Sequence, residues 1–318
     1  MIDFDTGQKR LNKFTGSEKK TTILYDGFVY MIKYPDPIRT QKLKGVISYK
    51  NNQFSEHIGS SIFNSCGIES QETVLGCYTD TSGKRKTVVG CKDFTQNGGV
   101  LYEIDKLSND IAPDEEKLKT TIENVNRIID ETELIKNKKA IKDGFWNMFI
   151  IDALIGNKDR HFGNWGILVK DDDITFAPVY DCGSSLGALL DDGEMARLLD
   201  KPDELKSAEY NVPSVYYSGG KRIFYHEIFK GPPSGLAEAI KRTVPKINME
   251  KIYSIVDSTP QISEIRKEYM KKAMTMRYEQ IFMPALKRIM RIEKSKAPNQ
   301  DILRNNAPEN GDSGKAKV

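Results

Sequence analysis

The chain has 318 residues, 38% of them hydrophobic, and its 48 Lys and Arg nearly balance its 45 Asp and Glu, leaving a formal net charge of +3. A chain of this size buries a substantial core, as one large two-lobed domain or as two domains, and so even a charge gives no basis for direct nucleic-acid binding. No apolar run reaches the about 18 residues of a transmembrane helix, and Met1-Ile2-Asp3-Phe4-Asp5 lacks the basic and apolar regions of a secretory signal, so a cytoplasmic protein is expected.

Residues 1–12 are polar and are expected to be flexible. The small basic turn Thr15-Gly16-Ser17-Glu18-Lys19-Lys20 then leads into two β-rich runs, 21–25 and 28–34, separated by Asp26-Gly27. Asp-Gly between such runs predicts a hairpin, with Lys33 near the end of its second strand. Phe54, Ile58, Ile62 and Cys66 recur at helical spacing and Gly67 supplies a stop. Glu56 lies near the start of that helix, 23 residues after Lys33. Two more strands, 72–78 and 86–91, flank the turn Asp80-Thr81-Ser82-Gly83, and the second runs into a polar linker that sets a lobe boundary near residue 95. Residues 114–137 carry Leu118, Ile122, Val125, Ile128, Ile129 and Leu134 on one stripe, an amphipathic helix. Residues 140–155 are apolar around nearly the whole circumference, which predicts a buried helix. It delivers the chain into Asn157-Lys158-Asp159-Arg160-His161-Phe162-Gly163-Asn164.

A short hairpin, 165–169 with 174–176, is expected to follow across Lys170-Asp171-Asp172-Asp173, three carboxylates that read as a solvated turn. It ends in Ala177-Pro178-Val179-Tyr180-Asp181-Cys182-Gly183. Residues 191–220 look loop-rich, leaving room for a mobile substrate-side segment but with no assignable role, and Tyr225 and His226 read as packing residues. Helices are expected over 236–244, 249–256 and 262–292, the last kinked at Pro284, its basic charges solvated over a packed apolar stripe. From residue 294 onward the periodicity ends, which predicts a disordered tail over 294–318. Cys66, Cys77, Cys91 and Cys182 show neither CxxC spacing nor a compact framework, so free thiols are expected.

The chemistry resides in the loop after the buried helix. An Asp with an Asn five positions later, followed within twenty residues by an Asp beside a Gly, is the residue set of a kinase catalytic loop and its metal-binding Asp. Phosphoryl transfer depends on positioning and charge neutralisation around Mg²⁺, which takes hard oxygen ligands. Asn164 and Asp181 offer such oxygens, and Asp159 suits a base accepting the substrate hydroxyl proton. Arg160 and His161 are candidates for neutralising phosphate or bracing the loop. Taken singly, a Gly in a basic turn, a Lys ending a strand and a Glu in a first helical turn are ordinary features. Their order along the chain, ahead of Asp159, is what points to ATP.

The run Leu154-Ile155-Gly156-Asn157-Lys158-Asp159-Arg160-His161-Phe162-Gly163-Asn164, with Ala177-Pro178-Val179-Tyr180-Asp181, resembles the signature of the HipA-like serine/threonine kinases, particularly their short members. The resemblance covers about residues 14–290. It implies an α+β, bilobal protein-kinase-like fold, with a β-rich N-lobe over 13–94 and a mostly helical C-lobe over 95–293. It further implies that Thr15, Gly16, Ser17, Glu18, Lys19 and Lys20 form the phosphate loop and that Lys33 is the strand lysine, paired with Glu56. Asp159 would be the catalytic Asp and Asn164 and Asp181 the metal ligands; His161 and Tyr180 would flank the nucleotide, and Cys91, Lys92 and Asp93 would hold adenine. Substrates are expected to be proteins, autophosphorylation is implied with Ser17 as one candidate, and a separately encoded antitoxin-like partner belongs to the same picture. The Asp-Arg-His-x-x-Asn string also resembles the loop of phosphatidylinositol kinases, which leaves a lipid kinase as the alternative enzyme, and a pseudokinase module as the alternative outside enzymes.

Overall fold

In the computed structural model, residues 1–12, 20–35, 51–113 and 118–296 are described. The strands β1 (Ile2–Asp3), β2 (Gln8–Arg10), β3 (Lys20–Tyr25), β4 (Phe28–Lys33), β5 (Thr73–Thr79) and β6 (Arg85–Lys92) form one sheet in the order β1-β5-β6-β4-β3-β2. Asp26 and Gly27 both take positive φ, 48° and 77°, the left-handed pair that a two-residue hairpin turn requires. Alternation along β4 then sends Tyr30 and Ile32 to one face of the sheet and Met31 and Lys33 to the other. The second face is covered by α1 (Asn52–Ser65), whose Phe54, Ile58 and Ile62 pack with Leu75, Val89 and Cys91. Lys33 therefore points toward the helix that carries Glu56.

The first face corrects the expectation of a flexible N-terminus. Ile2 and Asp3 pair in parallel with Gly76 and Cys77, and Phe4 is fully buried beside Tyr25 and Tyr30. A Cβ on Gly76 or Gly90 would lie 2.5 Å or 2.4 Å from the Phe4 ring, so these two strand glycines make its seat. Truncation of Phe4 to Ala is expected to lower stability by about 3–5 kcal/mol, read as a shift of the urea midpoint with an unchanged slope.

The large lobe contains α2 (Ile104–Ile111), α3 (Ile122–Glu131), α4 (Lys138–Ile155) and a three-stranded sheet of β7 (Val100–Glu103), β8 (Gly166–Lys170) and β9 (Asp173–Phe176) in that order. The helix expected over 114–137 is shorter than its apolar stripe. Thr121 caps it, its Oγ1 accepting from Asn124 N–H at 3.1 Å, and it ends at Thr132, whose Oγ1 donates to Ile128 O at 2.6 Å; residues 114–117 lie outside the described residues. The stretch 191–220 is not loop-rich. It folds as α5 (Asp192–Leu199), α6 (Pro202–Tyr210) and β10 (Pro213–Ser218), which pairs with β11 (Lys221–Phe224). Asp191 with Glu194 forms a capping box, and Pro202 stands at a helix start, where its missing N–H costs nothing.

Further on come α7 (Tyr225–Lys230), α8 (Ser234–Thr243), α9 (Met249–Ser258), α10 (Glu264–Arg277) and α11 (Met283–Lys296). Between α10 and α11 the chain makes a π-turn over Tyr278–Phe282, just ahead of Pro284, whose ring and absent N–H disturb the helical ladder. The last helix runs to residue 296, into the stretch expected to be disordered; residues 297–318 lie outside the described residues. Helix α9 lies against α1, and Thr87 Oγ1 in the small lobe donates to Gln261 Oε1 in the large lobe at 2.6 Å. Among the described residues no helix is long and apolar enough to cross a membrane, and all four cysteines are free.

Candidate active site

The site begins at the end of α4. Gly156 stops this helix in the left-handed region at φ 66°, and a Cβ there would meet the Arg277 guanidinium at 3.0 Å. In the last turn of the same helix, Asp152 is buried and receives Arg160 Nε at 2.8 Å and Nη2 at 3.0 Å, a bidentate pair with both side chains about 1% exposed. Arg160 also donates through Nη1 to Asn164 O at 2.8 Å and to Tyr180 O. Burial opposes the Arg160 charge, yet Asp152 outweighs it and holds the pKa well above the ordinary value. Asn157, fully buried, donates from Nδ2 to Asp152 Oδ1 at 2.9 Å and accepts the Asp159 N–H at 3.1 Å. One carboxylate thus fixes the loop at both ends, and Arg160 is a brace.

Asp159 lies at the exposed mouth of the cleft. Its backbone carbonyl accepts Asn164 Nδ2 at 2.7 Å, which fixes the amide so that Oδ1 remains available as an oxygen ligand. Across the cleft, Lys33 Nζ donates to Glu56 Oε2 and to Asp181 Oδ1, each at 3.0 Å. The other oxygen of Glu56 accepts the Cys182 N–H at 3.1 Å, so this buried carboxylate joins the strand lysine to the segment carrying Asp181. Asp181 itself takes φ 60°, an uncommon conformation for a residue with a side chain and of the kind stored at functional sites. Burial works to raise its pKa, but Lys33, and then Arg160 and His161, prevail and hold it below the ordinary value. Asp159 moves the other way. Partial desolvation raises its pKa, the nearby His161 lowers it, and the Asp181 charge raises it again, leaving it net above the usual carboxylate range. Their environments thus move the two carboxyls in opposite directions.

The donor chemistry suits Mg²⁺. Among the described residues no cluster of three His, Cys, Asp or Glu exists, and the cleft presents one carboxylate and one amide oxygen, the hard and incomplete set of an ion shared with phosphates and water. Burial pushes the Cys182 thiol up to about 12, so it remains neutral beside them.

Other residues singled out in the sequence fall as follows. Thr15, Gly16, Ser17, Glu18 and Lys19 lie outside the described residues; Lys20 is the cross-strand partner of Lys33. Cys91, Lys92 and Asp93 end β6, but the N–H of Lys92 donates to Glu72 O at 2.9 Å and that of Asp93 to Val29 O at 2.8 Å. His161 is exposed, its Nδ1 accepting the Gly163 N–H at 3.0 Å. Tyr180 is half-buried, its ring 6.0 Å from Phe94. Asp171, Asp172 and Asp173 are exposed in the β8–β9 turn, away from these groups. Asp152, Asn157 and Phe94 were not singled out by the sequence. A carboxylate in the apolar second half of this helix, with an Arg eight residues on, is the signal that marks Asp152.

The family model for the HipA-like C-terminal domain matches residues 14–215. Serine/threonine-protein kinase CtkA of Helicobacter pylori is 38% identical over 257 residues, 79% of this chain and 76% of that protein. The crystal structure of the H. pylori proinflammatory kinase CtkA superposes with a TM-score of 0.81 at 34% identity, covering 91% of this chain and 98% of that one. HipA of Shewanella oneidensis, solved with HipB and operator DNA, superposes with a TM-score of 0.54 at 13% identity, covering 89% of this chain and 67% of that one, a likeness of fold alone. On the family match, the identity to CtkA and the shared bilobal kinase-like fold, the chain belongs to the HipA-like family of serine/threonine kinases.

Proposed function

We propose that this protein transfers the γ-phosphoryl group of ATP to Ser and Thr hydroxyls of proteins, with Mg²⁺, in the cytoplasm. The observation that carries this reading is Lys33 bridging Glu56 and Asp181 opposite a loop that presents Asp159 and Asn164 together. Lys33, held by Glu56, takes the α- and β-phosphates. The phosphate loop that the family resemblance assigns to Thr15 to Lys20 belongs to the same reading, and of it Lys20 is described, paired across from Lys33. Asn164 and Asp181 would hold Mg²⁺, which would supply neutralisation of the phosphate charge. Asp159 orients the acceptor hydroxyl and receives its proton as the oxygen bonds to phosphorus. The bond from the γ-phosphorus to the bridging oxygen breaks, and ADP leaves. His161 and Tyr180 flank the nucleotide, with Phe94 beside Tyr180 as a further wall for the base. Cys91, Lys92 and Asp93, at the end of the small-lobe sheet, are the hinge that takes adenine. Autophosphorylation and a separately encoded antitoxin-like partner belong to the same reading.

The test is transfer of label from ATP, with Mg²⁺, to generic proteins and to the enzyme itself, beside Asp159 and Asp181 variants. Equal incorporation by wild type and both variants overturns the reading, and label confined to phosphoinositides replaces it with a lipid kinase. Glu56→Gln keeps the shape but removes the charge partner of Lys33. It is expected to lower kcat/KM about ten- to a hundredfold, the worth of one hydrogen bond to a charged group, with most of the loss in the KM for ATP.

A further inference from the structure

The hairpin of β10 and β11 is fastened to the Asp159 loop at successive carbonyls. Tyr225 Oη, just after β11, donates to Asn157 O at 2.7 Å; Arg222 Nη2 donates to Lys158 O at 3.1 Å; Tyr216 Oη reaches Arg160 O at 3.5 Å. The far strand is held as well, Tyr217 N–H donating to Thr120 O at 2.9 Å. The tip, Gly219-Gly220, takes φ 55° and 78°, with open space where a Cβ would stand on either residue. The hairpin is thus a fixed rim beside the catalytic loop, on the stretch that the sequence read as loop-rich with room for a mobile substrate-side segment.

Its chemistry is one-sided. Arg222 and Tyr217 are cross-strand partners and so share a face, and both are exposed, as is Lys158. Among the described residues neither Arg222 nor Lys158 forms a salt bridge, whereas Arg160, Arg266 and Arg277 all have carboxylate partners. Holding one carbonyl uses a single N–H of a guanidinium that carries five. A bare brace needs no Arg; a planar fork open to solvent is suited to a carboxylate.

We infer that this hairpin is the platform for the substrate peptide, and that Arg222, supported by Lys158, selects an acidic residue flanking the acceptor Ser or Thr. The inference rests on the reading of Asp159 as the base, because it places the acceptor hydroxyl next to Arg222. The aromatic ring of Tyr217 gives the extended peptide an apolar surface, and the Arg222 guanidinium receives its carboxylate at the rim.

The experiment uses three serine peptides that differ only in Glu, Ala or Lys flanking the serine. Each is read twice, by steady-state phosphorylation and by fluorescence polarisation of a version with Ala in place of the serine. The wild type is expected to favour the Glu peptide roughly five- to tenfold in KM and in Kd, the range for a partly exposed charge-assisted contact. Arg222→Ala abolishes the ratio, Arg222→Glu inverts it in favour of the Lys peptide, and Arg222→Lys, which keeps the charge without the fork, retains only part of it. Equal losses for all three peptides, or a change confined to the KM for ATP, would show a structural or nucleotide role and overturn the inference. Transfer without preference removes the platform and leaves the kinase reading intact. Preference in binding without transfer by the wild type supports the platform and removes the kinase reading.

Discussion

Replacing Asp159 by Asn lowers kcat by about a hundred- to ten-thousandfold, the usual worth of a positioned base, while the KM for ATP changes little. The backbone of Asp159 is held independently of its carboxylate, through its N–H to Asn157 and its carbonyl to Asn164, so the loop keeps its shape and the loss is chemical. Asp181→Asn differs in kind. It removes the charge that meets Lys33 and, on the proposed reading, Mg²⁺, so the Mg²⁺ concentration for half-maximal rate is expected to rise together with the fall in kcat. The pH profile carries the same sign. A base works deprotonated, and the Asp159 carboxyl lies above its usual range, so the rate falls on acidification at a pH above the about 3.9 of a free Asp. Melting curves beside steady-state kinetics check these outcomes. A kcat unchanged in Asp159→Asn excludes it as the base.

The second large effect is on stability. Arg160→Met strands the Asp152 carboxylate in the core and deprives the Asn164 and Tyr180 carbonyls of a donor, for an expected loss of about 3–5 kcal/mol. Asp152→Leu strands the opposite charge and is of similar size. Joined in one protein, the two substitutions leave an apolar pair and recover much of the stability, but not the activity, because the loop loses its tether. A double-mutant cycle by urea unfolding, with kinase assays on the same four proteins, separates these contributions. Additive losses would show that the two side chains act independently.

The parts of the site written in local sequence were readable in advance. Asp159, Asn164 and Asp181 lie on one loop and the hairpin after it, and α4 announces itself by being apolar all round. Lys33 and Glu56 were readable as an order of elements, but their 3.0 Å contact depends on which sheet face α1 covers, a tertiary fact. Phe4 was misread because a two-residue strand has no periodicity; its clue lay elsewhere, in Gly76 and Gly90, strand glycines with no turn to explain them. The folding of residues 191–220 was hidden by Pro202, Gly193 and Gly219-Gly220, punctuation that marks element ends as readily as loops. Glu209 with Arg277, a buried pair far apart in the chain, leaves no local pattern.

The helix carrying Glu56 is bolted to the large lobe along its length. Asn51 N–H donates to Ala188 O at 2.9 Å, Ser55 Oγ to Ser185 O at 2.8 Å, Gly59 lies so close to Cys182 that a Cβ would be 2.7 Å from its side chain, and α9 covers the helix. Where such a helix swings freely, a nucleotide must first draw the protein from a disengaged population, and its apparent affinity falls by the competent fraction. Here those contacts restrict the swing, and the discount is correspondingly small.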